Sequence, residues 1–556
     1  MGTPGGALSL TELCLALVGP LCVLGISYRL NLRISQRIVI TLLRTVVQLL
    51  LAGYVLLGFI FSMHSPVYVL GYLFLMVVIS SFEVISRQVR TYKGYLRDSF
   101  LAVLVGGGGV GLYGSVLVFH TSPWWQPHIV VPTAGMLIGN SISGPALAVD
   151  RLFSEVCDRS HEIELRLAFG GTKFEAILPT IRAAMLVALT PNMNQMAVVG
   201  IVSIPGMMTG QLLAGASPLV AAEYQLVILW LIFATVGFST LVGLYLALEN
   251  AVFDNEHRLT LPKISKKPKT SIEELVANLA SAVWTRLWSF VGRALCCYSN
   301  GRYTRSDTEL SPLVPATELL KPIDAESTNW QQSGVIEVKE EHICNTVDLS
   351  MENISFSMSR GEILALEGPS GVGKTMFLRS LALFNKPVCG SLRFSTNTAG
   401  TGLAPLYMNT DTGFHHVPDW RKRCMYVPQA VPPLNLSPLN LLEEAIGFGC
   451  RYSPTAKATI LSRCAEMEDK LLLGTGKLSL EWVKLSGGER QRAAIACALI
   501  LINYDNEVCD SVLLLDEPTA ACDAATTAAV EAALLHSGAA IILTTHDSRQ
   551  SNRIAQ

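Results

Sequence analysis

The sequence predicts a multi-domain chain: an all-α polytopic membrane domain of about seven transmembrane helices, followed by an α/β P-loop nucleotide-binding domain. Three observations predict it. Of 556 residues, 50% are hydrophobic and only 15% charged, and the apolar excess lies before residue 252. Seven segments in that half are long enough to cross hydrocarbon, which takes roughly 20 helical residues. Finally, Gly368-Pro369-Ser370-Gly371-Val372-Gly373-Lys374-Thr375 stands between a strand-like run at 362–367 and a helix-like run at 376–383. That is the strand, loop and helix context a phosphate-binding loop requires. The expected boundaries are 1–252 for the membrane domain, 253–334 for a connecting region and 335–556 for the nucleotide-binding domain.

In chain order, the apolar segments fall near 8–28, 38–61, 66–85, 99–119, 129–149, 183–204 and 224–248. The first lacks a basic leader and reads as a span, not a cleaved signal. The sixth carries Pro191, Asn192, Asn194 and Gln195, so it reads as a span or a buried soluble helix, and the 205–210 run after it reads as a re-entrant turn. Basic residues alternate between loops: Arg29, Arg33 and Arg37; then Arg87, Arg90, Lys93 and Arg97; then Arg151, Arg159, Arg166, Lys173 and Arg182. The loops at 62–65, 120–128 and 205–223 have no Lys or Arg. Because basic loops stay cytoplasmic, this predicts an integral, multi-pass protein with its N-terminus on the opposite side and residue 250 onward in the cytoplasm.

The connecting region has two characters. Lys263, Lys266, Lys267 and Lys269 form a basic run suited to anionic headgroups of the lipid bilayer. Apolar residues then recur at helical spacing from Ile272 to Val291, as in an interfacial helix or one packed on the protein's own cytosolic side. Cys296 and Cys297 follow as possible S-palmitoylation positions, and 299–334 reads as a flexible tether. The insert at 395–416 reads as a surface loop. A net charge of −2 with no basic domain gives no footprint for nucleic acid, and 13 scattered cysteines suit a reducing compartment.

The P-loop glycines let successive N–H groups turn toward phosphate, with the following helix pointing its positive end at the same anion. On that geometry Lys374 reaches the β- and γ-phosphates of ATP, and Thr375 holds Mg²⁺. Asp516, ending the apolar run Leu513-Leu514-Leu515, can hold the Mg²⁺ shell, and Glu517 beside it is placed to polarise water as general base. With Leu485-Ser486-Gly487-Gly488-Glu489 between them, these motifs resemble the nucleotide-binding domain of ABC transporters over 335–550. The resemblance implies that Gln429 senses Mg²⁺ and the attacking water, that His546 contacts the γ-phosphate, and that Ser486, Gly487 and Gly488 close over ATP on a second protomer. It therefore implies a homodimer, joined through both its ABC and its membrane domains. Three departures stand out. No aromatic residue stands near His342 and Ile343 where adenine would stack, Ala520-Ala521-Cys522-Asp523 replaces the usual Ser-Ala-Leu-Asp, and the chain stops ten residues past His546, as a truncated or minimal domain would.

In the cytoplasmic loop near 160–182, Glu164 and Gly170 have the spacing of the docking loop of ABC permeases, with Phe174 expected as the apolar anchor. Residues 8–252 as a whole resemble the permease family of the bacterial Fet iron-export system and of plant aluminium-tolerance transporters. That resemblance rests on the runs 131–140, 167–172, 181–185 and 200–210. It implies a half-size exporter of a small solute, with a transition metal ion such as iron leading. A nucleotide sugar or cell-wall precursor, or a regulatory ATPase without net transport, stay open. Gln48, Glu83, Met207 and Met208 are the residues able to line a metal path, although Glu83 also suits an ion pair with Arg44 and methionine is commonly packing.

Overall fold

The computed structural model describes residues 10–30, 35–53, 65–120, 123–266, 334–345, 349–369, 371–385, 389–394, 407–409, 417–448, 456–502 and 511–554. Two compact units divide the chain, one of residues 1–69 with 267–331 and one of 70–266 with 332–556. Of the first, the described part is a helix pair, α1 (Leu10–Arg29) and α2 (Ser35–Leu51), joined by a Ser27 to Ser35 hydroxyl hydrogen bond of 3.0 Å, and the first turn of α3 (Pro66–Ser86), whose remainder lies in the second unit.

The second unit carries the rest of the membrane domain. Its helices are α3 (Pro66–Ser86), α4 (Tyr95–Val118), α5 (Pro127–Asn140), α6 (Ser143–Asp158), α7 (Ser160–Ala168), α8 (Lys173–Val198), α9 (Gly206–Leu213) and α10 (Pro218–Ala247). Helix α10 is the hub, packed on α4, α5, α6 and α8. Small residues allow that approach: a Cβ on Gly106 would stand 2.5 Å from Ser239 Cβ, and one on Gly144 would stand 2.5 Å from Thr240 Oγ1. Helix α4 contains two π-helical stretches, Leu104–Gly109 and Gly114–Val118, and α10 ends in a third, Leu248–Val252.

Among the described residues four helices are long and apolar enough to span: α3, α4, α8 and α10 with its π turn. Only 28 to 39% of their apolar windows is buried, which leaves apolar faces for lipid. The fifth expected span, 129–149, is not one helix, because the chain turns between Asn140 and Ser143 and continues as α6. The sixth extends in the other direction. A capping box, in which Thr172 Oγ1 accepts from the Glu175 N–H and Glu175 accepts from the Thr172 N–H, starts α8 at Lys173, ten residues before the expected span. The run after it is the short helix α9 with flanking turns.

Part of the connecting region is folded as well. Residues 253–264 turn back under α10, and β2 (Ser265–Lys266) pairs antiparallel with β1 (Arg90–Thr91). Lys267, Lys269, the apolar repeat at 272–291, Cys296 and Cys297 lie outside the described residues.

The nucleotide-binding domain has two sheets. An antiparallel sheet orders as β4 (Leu349–Ser359), β3 (Gly334–Asn345), β6 (Cys389–Phe394) and β7 (Tyr407–Asn409), so part of the polar insert is an edge strand, not loop. A parallel sheet orders as β5 (Ile363–Glu367), β10 (Ala540–Thr545), β9 (Val512–Leu515) and β8 (Cys424–Val427). The strands β8, β9 and β10 are buried throughout, as expected for a sheet with both faces covered. The helices are α11 (Lys374–Leu381), α12 (Val417–Arg423), α13 (Pro438–Gly447), α14 (Ala456–Lys470), α15 (Gly487–Ile502), α16 (Ala524–Leu535) and α17 (Ser548–Ile554).

Candidate nucleotide site and membrane coupling surface

The four parallel strands end on one edge, where ligands of open α/β sheets bind. After β5 comes the P-loop, with Gly371 at φ +85° and Gly373 at φ +104°, left-handed conformations that suit glycine and aim backbone N–H groups inward. Gly373 caps α11, whose first residues are Lys374 and Thr375. The Lys374 ammonium is 8% exposed and donates to the carbonyls of Gly368 at 2.5 Å and Pro369 at 3.2 Å. It also lies 3.3 Å from His546 Nδ1, and no carboxylate pairs with it among the described residues. A buried cation with no carboxylate partner among the described residues fits an anionic phosphate.

After β9, Asp516 is 2% exposed and both its oxygens accept hydrogen bonds. Oδ1 accepts from the Thr375 hydroxyl at 3.1 Å and the Thr544 hydroxyl at 2.8 Å, and Oδ2 from Tyr426 at 3.3 Å. Burial first, then the charge of Asp516, pushes the Tyr426 phenol well above its usual range, so it stays a neutral donor. Hydroxyl oxygen and carboxylate side by side form a hard-ligand set of the kind Mg²⁺ takes.

Glu517 is the node of the site. Its Oε2 accepts from Gln429 Nε2 at 2.6 Å, its Oε1 lies 2.6 Å from His546 Nε2, and its N–H donates to Thr544 Oγ1 at 2.9 Å. Its φ of 47° is a strained value for a non-glycine residue, of the sort stored at functional sites. Lys374, His546, Glu517 and Gln429, from four separate segments, thus form one hydrogen-bonded chain.

The Ser486–Gly488 segment stands apart. No hydrogen bond among the described residues joins it to that chain, and it starts α15 through its own capping box. The Ser486 N–H donates to Glu489 at 2.8 Å and the Glu489 N–H to Ser486 Oγ at 3.3 Å. Ser486's backbone and then the Lys477 ammonium, 2.9 Å away, hold the Glu489 carboxyl down to about 2. Gly488 is packed against 520–523: a Cβ there would stand 2.5 Å from the Ala521 carbonyl.

A second site joins the two halves. Glu164 on α7 takes a two-pronged hydrogen bond from Arg379 on α11, at 2.9 and 3.2 Å. Arg166, 3% exposed, bridges Glu162 at 2.9 Å and Glu444 on α13 at 3.0 Å. Between them Phe169 is fully buried in a cluster with Leu165, Met425, Val427, Leu441, Ile446 and Phe448. Gly170, at φ +87°, lets the chain pass Lys422, whose Cγ would be 2.5 Å from an added Cβ.

A family model described as "Uncharacterised protein family (UPF0014)" matches residues 10–252, and one described as "ABC transporter" matches 351–520. The UPF0014 membrane protein slr1647 of Synechocystis is 37% identical over 200 residues, covering 36% of this chain and 76% of its own length. The chain belongs to the UPF0014 family. UPF0014 membrane protein YjkA of Bacillus subtilis is 34% identical over 231 residues, 42% of this chain and 90% of the relative. "Probable iron export permease protein FetB" of Escherichia coli is 29% identical over 256 residues, 46% of this chain and 96% of the relative. The protein is a UPF0014 permease domain fused to an ABC ATPase domain in one chain, an integral membrane ATPase coupled to transport.

Within this UPF0014 protein, Lys374, Thr375, Gln429, Asp516, Glu517 and His546 are brought together by hydrogen bonds; Ser370 lies outside the described residues. Of the four expected path residues, Gln48 lies in the first unit and the other three in the second. Gln48 is exposed on α2, Glu83 pairs with Arg87 at 3.5 Å, and Met207 and Met208 are half-buried on α9. No cluster of three or more His, Cys, Asp or Glu able to hold a metal occurs among the described residues. The expected anchor was misplaced by five residues. Phe174 sits on the first turn of α8, 41% exposed and stacked on Tyr245 at 6.1 Å, because the Thr172 cap ends the docking loop before it, and Phe169 fills the ATPase core instead. Sequence reading also missed Tyr426 and Thr544, which brace Asp516; the Thr544 hydroxyl ending a buried strand was the available signal.

Proposed function

We propose that the UPF0014 chain works as a homodimeric half-size exporter in which MgATP hydrolysis drives a small solute, led by a transition metal ion such as iron, out of the cytoplasm. The observation that carries the ATPase part is the Lys374, His546, Glu517 and Gln429 chain beside the Thr375 and Asp516 pair. In this reading Lys374 and the P-loop N–H groups of 368–375 hold phosphate, Thr375 and Asp516 hold the metal with Gln429 near it, Glu517 takes the proton of water, and His546 orients Glu517. Bound Mg²⁺ supplies charge neutralisation on the phosphates. Ser486, Gly487 and Gly488, separate from this chain within one protomer, serve the site of the second.

The substrate reading rests on the match to a relative named for probable iron export. The orientation, ATPase domain in the cytoplasm and N-terminus opposite, rests on the alternation of basic loops. The test is MgATP-dependent iron(II) uptake into vesicles with the ATPase domain outward, with the Glu517→Gln protein as the inactive control. Uptake above that control supports the proposal. Iron(II)-indifferent ATPase activity that nucleotide sugars stimulate overturns the metal reading.

A further inference from the structure

The docking loop is not the only membrane segment that reaches the ATPase core. Beneath α10, the chain makes a π turn and then a tight loop in which Asp254 Oδ1 accepts from the backbone N–H groups of Glu256 and Arg258 at 3.0 and 2.8 Å. His257 lies at the tip of that loop with φ 55°. Its carbonyl accepts from Arg421 at 3.1 Å, and its Nδ1 accepts from the Lys173 N–H at 3.3 Å, where α8 begins. The tip of the loop that follows α10 therefore touches the start of α8 and the ATPase domain at once.

Arg421 belongs to α12 and is completely buried. Its other donors go to the carbonyls of Ala382 at 3.0 Å and Leu383 at 2.9 Å, and its guanidinium lies 4.3 Å from the Phe384 ring. Those carbonyls are the open end of α11, the helix that starts with Lys374 and Thr375. A cation there satisfies acceptors that a helix end leaves unpaired and complements its negative pole. Helix α11 is eight residues long, so the nucleotide end and the Arg421 end are about 12 Å apart on one rigid element. The docking loop grips that same helix through Glu164 and Arg379, and Arg379 also lies 5.4 Å from the Phe384 ring. Burial, then the neighbouring Arg258 charge, brings the Arg421 guanidinium down to about 9, and its partners remain carbonyls, not a carboxylate.

We infer that Arg421 is a positioning residue forming a second coupling contact, through which the loop at 253–260 carries movement of the last membrane helix onto the far end of the P-loop helix, beside the contact the docking loop makes with that helix. Closure of the nucleotide site would then be sensed by two membrane segments meeting at one helix. The inference concerns coupling within the chain and holds whatever solute is moved.

The test uses the full-length protein in lipid nanodiscs, trapped with MgATP and vanadate and compared with the nucleotide-free protein by hydrogen exchange of backbone amides. Trapping should change the exchange half-time of the 253–260 segment at least about threefold in the native protein. Arg421→Met keeps packing on Phe384 but removes every donor, and should abolish that response while the response of 160–170 persists. His257→Pro breaks the loop from the membrane side, since proline cannot adopt a positive φ, and leaves the ATPase sequence intact. It should give the same loss, and the double variant should be no worse than either alone, because both delete one contact. A 253–260 response unchanged in either folded variant overturns the inference.

Discussion

Replacing Phe169 by alanine tests how the two halves are held together. The ring is fully buried among ATPase side chains although it belongs to the membrane domain. A phenylalanine buries about 200 Å², worth about 5 kcal/mol at about 25 cal/mol per Å². Partial collapse of the site brings Phe→Ala losses to roughly 3 to 5 kcal/mol. Taking about 4 kcal/mol, the docked state weakens about a thousandfold relative to the undocked one. For a domain of about 200 residues, each kcal/mol lowers the melting temperature by about 2 °C or more, so a fall of about 8 °C or more is expected. Scanning calorimetry of the protein in nanodiscs reads this as an early ATPase transition separated from the membrane domain. Phe174→Ala should shift it by only about 2 to 4 °C, since it removes an exposed stack worth about 1 kcal/mol. A loss under about 2 °C for Phe169→Ala, or an equal loss for Phe174→Ala, refutes the assignment of the anchor.

Glu517→Gln should lower ATP turnover at least about a hundredfold while nucleotide binding persists, as general-base removal does; more than a tenth of native turnover would take Glu517 out of that role. Glu489→Ala should cost about 1 kcal/mol through the lost capping box, read as a lower denaturation midpoint at neutral pH. Glu489's folded value of about 2 lies below its ordinary 4.5, so its contribution is complete above 4.5 and disappears as pH falls toward 2. The stability curves of the native protein and the Glu489→Ala variant should therefore converge in acid, and a constant gap contradicts this. His257 is held below its ordinary 6.5 by burial first, then by Lys173 and Arg421, with Asp254 and Glu249 opposing. The unfolded chain then binds the proton first, so stability falls as pH drops below 6.5. His257→Gly, which suits the positive φ, should flatten that slope between about pH 7.5 and about pH 5.5, and an unchanged slope would remove His257 as its source.

The nucleotide site was legible because phosphate chemistry dictates short-range spacing. Glycines, Lys374 and Thr375 fall within one loop, and Asp516 and Glu517 mark the end of an apolar strand. The coupling surface was legible only in outline. Glu164 and Gly170 mark a docking loop, yet choosing between Phe169 and Phe174 depends on where the Thr172 cap starts α8, which is a packing outcome. Arg421 and His257 are 164 positions apart and meet through a backbone carbonyl, which leaves no trace in side-chain pattern. The expected fifth span failed for a related reason: hydropathy integrates over 129–149 and does not register the turn between Asn140 and Ser143.

The buried cluster that includes Phe253 and Val252 of the membrane half together with Leu381, Leu383, Phe384 and Trp420 of the ATPase half runs without a break from one to the other. An ATPase fragment expressed alone from about residue 335 would present those apolar surfaces, and the pocket that receives Phe169, to water. During synthesis the membrane half emerges first, so it offers the later-made ATPase a template on which to finish folding. Fusion in one polypeptide thereby fixes the ratio of the two halves at one to one and spares the ATPase half a search through solution for its docking surface.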